Sequence, residues 1–221
     1  MPVYRKSKLV HIHIPKTAGT AIGGLFARHN DMVWGAESWI GQKFMDQRWF
    51  EYQHFSLAEF LRFTGDEFLN FRFFGVLRNP YSRLVSEFHW RHNKNPDRQN
   101  PNMLSFDRFE KFVYAIPEDL DGNWDTLMAF SERSYANFLI HVRPQHHYIC
   151  GIDGKPGLDH LLAYERLNTD IGGLLKDLDF DISSIRNPRE RPFLNYFDRQ
   201  MLDRVNEIYR KDFELGGYQM V

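Results

Sequence analysis

The first apolar run of the chain is Leu9-Val10-His11-Ile12-His13-Ile14, rich in β-branched residues and closed by Pro15. Its length and its bounding proline predict a strand that empties into a loop. Pro15-Lys16-Thr17-Ala18-Gly19-Thr20 is that loop, and residues 21–29 then set Ile22, Leu25 and Phe26 on one helical face. Gly23-Gly24 either weakens this helix or lets it pack closely on a sheet. Phe71-Arg72-Phe73-Phe74-Gly75-Val76-Leu77 predicts a second strand, which runs into Arg78-Asn79-Pro80. Asn79 is a good N-cap and Pro80 suits a first helical position. The helix so started should reach about Arg91 and bury Leu84, Val85 and Phe88.

Residues 93–105 gather Asn, Pro, Asp and Gln and predict an exposed loop. Residues 106–114 and 131–142 read as helices, and 158–164 as a third strand. Asn168 or Thr169 should cap a short helix ending near Leu178. A last helix from Asp198 buries Leu202, Val205, Ile208, Tyr209 and Phe213 and stops at Gly216-Gly217. Strands alternating with helices predict the α/β class, a central parallel sheet with helices on both faces. No repeat, low-complexity tract or linker interrupts the pattern, so residues 1–221 read as one domain.

Composition narrows the function classes. With 43% hydrophobic and 16% aromatic residues, the 221-residue chain has ample apolar surface for a core. A net charge of −1 supplies no bulk basic field, so no nucleic-acid partner is expected and any anion must be held by local arrangement. The lone cysteine, Cys150, excludes an internal disulfide and a cysteine-rich zinc site, and it agrees with a reducing compartment. The polar start and the short first apolar run do not make a signal sequence, and no stretch reaches the length of a membrane span. A cytoplasmic protein is expected.

A strand, a tight loop and a helix N-terminus form a ready anion site, because amide N–H groups converge there and the helix dipole adds positive charge. Lys16 adds a full charge, Gly19 lets the backbone approach closely, and Thr17 and Thr20 offer hydroxyls. The Walker A spelling is absent: the first glycine is missing and the lysine precedes Gly19. The plain alternative is an ordinary strand–turn–helix with a solvated lysine. At the end of the second strand, Arg78 suits forked phosphate recognition, and Ser86 lies on the following helix on the face of Ser82. Strand C-termini of a parallel sheet gather at one edge, where ligands bind. Two anion sites on that edge point to a ligand with two separated phosphates. The alternative is that Arg78 pairs locally and Ser86 is a surface hydroxyl.

His13-Ile14-Pro15-Lys16-Thr17-Ala18-Gly19-Thr20 resembles the 5′-phosphosulfate loop of the carbohydrate sulfotransferases that use 3′-phosphoadenosine-5′-phosphosulfate (PAPS). The branch it resembles is that of the heparan sulfate 2-O- and 6-O-sulfotransferases and their bacterial relatives. Residues 77–88, with Arg78 followed eight residues later by Ser86, resemble that family's 3′-phosphate segment. Arg143-Pro144-Gln145, Tyr164-Glu165-Arg166-Leu167 and the stretch 208–218 extend the resemblance in order along nearly the whole chain. It implies a sheet akin to that of the P-loop kinases. It also implies donor binding by Lys16, Thr17, Ala18, Gly19 and Thr20 at the 5′ end and by Arg78 and Ser86 at the 3′-phosphate, with PAP as product. Arg189 or Arg191 would close over the nucleotide.

A hydroxyl acceptor is a weak nucleophile and needs a base, and histidine suits that task near neutral pH. Of ten histidines, His54 precedes an amphipathic helix and, through the resemblance, takes the place of the family's catalytic base, with Lys16 as its catalytic companion. The bland alternative for His54 is a residue capping that helix. His11 and His13 alternate on one strand face, the mark of buried structure, although His13 is near enough to the loop to touch ligand. His146-His147 reads either as part of an acceptor groove or as a surface pair, and no histidine–carboxylate spacing argues for a metal. Trp34, Trp39, Trp49 and Trp90 are stacking surfaces for sugar rings or, for most of them, core. A hydroxyl-bearing small molecule or glycan is the expected acceptor. The rival readings are a P-loop nucleotide kinase and a nucleotide- or glycan-binding module that has lost its chemistry.

Overall fold

The computed structural model describes residues 2–31, 53–101, 103–121, 131–187 and 192–221. In chain order its elements are β1 (Val3–Tyr4), β2 (Leu9–Ile12), α1 (Gly19–Arg28), α2 (Leu57–Thr64), β3 (Arg72–Leu77), α3 (Pro80–Lys94), α4 (Phe109–Tyr114), α5 (Arg133–Val142), α6 (His146–Ile149), β4 (His160–Ala163), α7 (Leu167–Leu174), α8 (Arg199–Ile208) and α9 (Arg210–Gly216). Two compact units emerge: Met1–Leu77 with Gln145–Arg189, and Arg78–Pro144 with Glu190–Val221.

The first unit is mixed α/β. Among the described residues its sheet has four strands, in the order β1-β2-β3-β4. Strands β2, β3 and β4 are parallel and β1 is antiparallel to β2. Strand alternation sends Leu9, Phe74, Val76 and Leu162 to one face, where Ile22, Leu25 and Phe26 of α1 and Leu167, Ile171 and Leu174 of α7 bury them. On the other face Phe60 of α2 meets Phe73 edge-on, ring centroids 5.7 Å apart. Helices therefore flank the sheet as the alternation of elements predicts.

His11 is the polar exception in this core. It is fully buried and stacks on Phe74 at 4.6 Å, and neither ring nitrogen has a hydrogen-bond partner among the described residues. Burial pushes its pKa down to about 3, so the ring is neutral.

Helix α7 departs from expectation. It starts at Leu167 and has no side-chain cap of its own, and neither Asn168 nor Thr169 is the cap. A distant residue does that work instead: Asn187 Oδ1 accepts from the Asn168 amide at 2.8 Å, satisfying an orphan donor of the first turn. The Asn168 side chain turns away to donate to the Ile185 carbonyl at 2.7 Å.

The second unit is built around α3. Tyr81, Leu84, Val85 and Phe88 pack with Phe112 of α4, Phe138 and Leu139 of α5, and Val205, Ile208 and Phe213 of α8 and α9. Most of the buried charges described here are paired. Glu87 meets Arg91 at 2.6 Å and His141 Nδ1 at 3.0 Å. Arg91 also donates to the Leu104 carbonyl at 2.9 Å and to Asn137 at 3.2 Å. Arg83 donates to the carbonyls of His141, Val142 and Arg143, closing the C-terminal end of α5.

Two further differences have local causes. The stretch after α3 is a loop, yet Asn95 is buried and stitches it together: it donates to the carbonyls of Asn100 (3.3 Å) and Met103 (2.8 Å) and accepts from the Asn100 amide (3.0 Å). The single last helix predicted from the pattern is broken at Tyr209, whose backbone leaves helical geometry (φ −110°, ψ 18°). The Tyr209 hydroxyl donates to the Val142 carbonyl at 2.6 Å. Gly217 ends α9 in the left-handed conformation, the cap that a glycine supplies most easily.

Replacing His11 by Phe removes two orphaned polar atoms and keeps a stacked ring, so stability at pH 7 should be unchanged or higher. The acid dependence gives a sharper check. Folded His11 titrates near pH 3 and an unfolded histidine near 6.5, so between those values the unfolded state holds the extra proton. Wild type should then lose up to about 1.4 kcal/mol per pH unit that His11→Phe does not lose. Urea unfolding measured from pH 7 to 4 tests this, and parallel losses would contradict the assignment. In the second unit, Glu87→Ala strips Arg91 and His141 of their shared carboxylate and should cost about 3–5 kcal/mol by the same measurement.

Candidate functional site

Strand β2 ends at Ile12, and the chain must turn to start α1 at Gly19. It does so through two left-handed residues that are not glycine, Lys16 (φ 68°) and Ala18 (φ 75°). Such a residue costs roughly 1–2 kcal/mol, so the surroundings must enforce it. Between the two lies Thr17, fully buried, with Oγ1 donating to the Ile14 carbonyl at 2.8 Å. The Ala18 carbonyl accepts from the amides of Ala21 (2.9 Å) and Ile22 (3.1 Å), which locks the loop to the first turn of α1. A left-handed residue followed by a right-handed one turns successive amides the same way, the geometry of an anion nest. No acidic residue stands in the first turn of α1 to oppose an anion. Lys16 and Gly19 are half-buried and Thr20 is exposed.

Gly19 has a more specific reason than close approach of a ligand. It is not left-handed, but a Cβ built on it would collide with the imidazole of His13. The ring of His13 therefore rests directly on the start of α1.

His54 joins this group from just ahead of α2. The residues after it are fixed by a capping box: Ser56 Oγ accepts from the Glu59 amide at 3.2 Å, and Glu59 Oε2 accepts from the Ser56 amide at 2.6 Å. His54 is buried, and its Nδ1 lies 2.8 Å from the His13 carbonyl. A carbonyl only accepts, so Nδ1 carries the hydrogen and, in the neutral ring, Nε2 holds the basic lone pair. The rings of His54 and His13 lie 4.7 Å apart. Thus Lys16, Thr17 and Ala18 form the loop, Gly19 and Thr20 open α1, and His54 is tied to the residue that leads into the loop.

In the second unit, Asn79 caps α3: its Oδ1 accepts from the amides of Tyr81 (3.0 Å) and Ser82 (3.4 Å), with Pro80 in the first turn. Arg78 Nε donates to Ser82 Oγ at 2.9 Å, and Ser82 Oγ donates to the Asn79 carbonyl at 3.2 Å. Arg78 is therefore laid along the first turn of α3, and Ser86 follows one turn beyond Ser82, half-buried. Sequence reasoning placed Ser82 on this face without its role as the partner of Arg78. The four-residue spacing from 78 to 82 was the available signal.

Other candidates fall elsewhere. Trp90 stacks on His141 at 5.0 Å, in keeping with a packing role. His146 and His147 sit on the short α6 with rings 4.4 Å apart, nearly perpendicular. Arg189, Arg191, Trp34, Trp39 and Trp49 lie outside the described residues. Among the described residues no helix is long and apolar enough to cross a membrane.

A family model described as "Sulfotransferase family" matches residues 2–219. The chain belongs to the sulfotransferase family. Comparisons with curated proteins and with solved structures found no match. The family match spans both units and every candidate residue named above, and it supports sulfuryl transfer to a hydroxyl-bearing acceptor as the general activity of this sulfotransferase.

Removing the Asn79 cap orphans amides of α3 that its side chain satisfies. Asn79→Ala should lower stability by about 1 kcal/mol, read from the shift of the denaturant midpoint at constant slope.

Proposed function

We propose that this sulfotransferase moves the sulfuryl group of PAPS onto a hydroxyl of a carbohydrate acceptor and releases PAP. The observation that carries the reading is the bond from His54 Nδ1 to the His13 carbonyl. It leaves Nε2 as a base, on a residue fastened to the lead-in of an anion-binding loop.

Lys16 and the loop amides from Thr17 to Thr20 hold the 5′-phosphosulfate. His54 Nε2 takes the proton of the acceptor hydroxyl as that oxygen bonds to sulfur. The bond from sulfur to the 5′-phosphate oxygen breaks, and Lys16 stabilises the charge that gathers on the departing oxygen. Sulfuryl transfer, like phosphoryl transfer, is mainly a matter of alignment and charge stabilisation, so a strained and preorganised loop suits it. Arg78 and Ser86 take the 3′-phosphate. The support for this part is the resemblance of residues 77–88 to the family's 3′-phosphate segment. The carbohydrate class of the acceptor rests on the resemblance of the motifs at residues 13–20 and 77–88.

His54→Ala should lower turnover by about 10²–10⁴-fold and leave PAP affinity, measured by calorimetry, unchanged. Retained turnover refutes the base. Arg78→Ala should weaken PAP by about tenfold or more, the worth of a charge-assisted hydrogen bond. An unaltered dissociation constant contradicts the 3′-phosphate role. Transfer of labelled sulfate from PAPS across a glycan panel identifies the acceptor, and a thermal-shift comparison of PAP with ATP–Mg²⁺ separates this reading from a nucleotide kinase.

A further inference from the structure

We propose that the imidazole of His13 is the positioning residue that registers the His54 base against the donor-binding loop. This rests on the reading of His54 as the base. Each contact of His13 bears on a different part of the site. Its carbonyl fixes the tautomer of His54 at 2.8 Å. Its ring lies 4.7 Å from the ring of His54. The edge of the same ring that carries Nε2 occupies the space where any Cβ at position 19 would stand, at the first residue of α1.

From below, the ring is supported by the sheet. His11 lies 5.4 Å from His13 and stacks nearly flat on Phe74 at 4.6 Å, an interplanar angle of 6°. A column of rings thus runs from β3 through β2 to the base: Phe74, His11, His13, His54. A site anchored to strands in this way holds its geometry better than one carried on a loop alone. His13 is the link in the column that also touches the loop, so displacing it moves the base relative to the loop.

Gly19 supplies the matching half of the contact. Its backbone is not left-handed, so alanine there meets no conformational penalty, and the collision with His13 is the obstacle. The two positions should therefore be strongly non-additive.

The test joins nitrogen NMR of the histidine rings with kinetics. In wild type, neutral His54 should appear as the Nδ1–H tautomer. His13→Ala keeps the backbone carbonyl and with it the Nδ1–H tautomer, but it should shift the His54 ring signals and lower kcat on the order of 100-fold, the usual effect of misplacing a reacting group by about 1 Å, with little change in PAP affinity. Gly19→Ala should lower kcat comparably in wild type but add little in the His13→Ala background, where the methyl group has room. A protein in which His13 only fills space would lose thermal stability with kcat intact, which overturns the proposal. Additive losses from the two substitutions also overturn it. So does an Nε2–H tautomer in wild type, a result that needs no variant to fold. If wild type transfers no sulfate to any acceptor, yet it shows the Nδ1–H tautomer and its His54 ring signals shift in His13→Ala, the positioning role stands and the catalytic reading fails alone.

Discussion

The hydrogen bond between His54 Nδ1 and the carbonyl of His13 ties together residues 41 apart in sequence. It decides which nitrogen of His54 is basic, and it fastens that residue to the end of a central strand. The position of His13 follows from the sheet. Counting by twos along β2, residues 9, 11 and 13 share a face, and Leu9 and His11 on that face are buried against β3 and the helices that cover it. The ring of His13 is the first of the three past the end of the strand, which is why it reaches the start of α1 while His11 below it reaches only Phe74.

The same economy of spacing governs α3. Along residues 79–88, Asn79 caps, Tyr81, Leu84, Val85 and Phe88 fill the core, Arg83 closes the end of α5, and Glu87 holds Arg91 and His141. What is left on the remaining face is the series 78, 82, 86, spaced by four. Arg78 is tied to Ser82, and Ser86 stands one turn on. Ser82 and Ser86 are one helical turn apart, and Arg78, ahead of the cap, reaches the first of them through its side chain. The residues between them belong to the scaffold.

The strand–loop–helix and strand–Asn–Pro–helix passages were legible because each rule involved is local. Apolar runs bounded by proline make strands, Asn before Pro starts a helix, and alternation with helices makes a mostly parallel sheet. What could not be read depended on particular contacts and backbone angles that composition and periodicity do not encode. Asn187 caps α7 from a distance of nineteen residues, so the local candidates Asn168 and Thr169 misled. Asn95 organises its loop through carbonyls, which composition does not reveal. Nothing in the sequence marks Lys16 and Ala18 as left-handed, since neither is Gly, Asn or Asp. Gly19 was read as a concession to ligand approach, whereas its lack of a side chain is already required by His13. His54 was reached through the resemblance, and its tautomer needed coordinates.

Two of the five described non-glycine residues with positive φ, Lys16 and Ala18, and one buried histidine with no hydrogen bond lie within the span from His11 to Ala18, while Lys8, Asn30 and Arg98 lie elsewhere. The buried charges of the second unit, by contrast, are largely matched, as the Glu87–Arg91–His141 cluster shows. A chain folded for stability alone would replace His11 by an apolar residue and relax the loop through glycines. Local rules are broken together mainly where geometry itself is selected. Here the broken rules share one effect: a rigid support beneath His13 and a fixed curl of amides ahead of α1. Those are the two things a reaction governed by alignment needs from its protein.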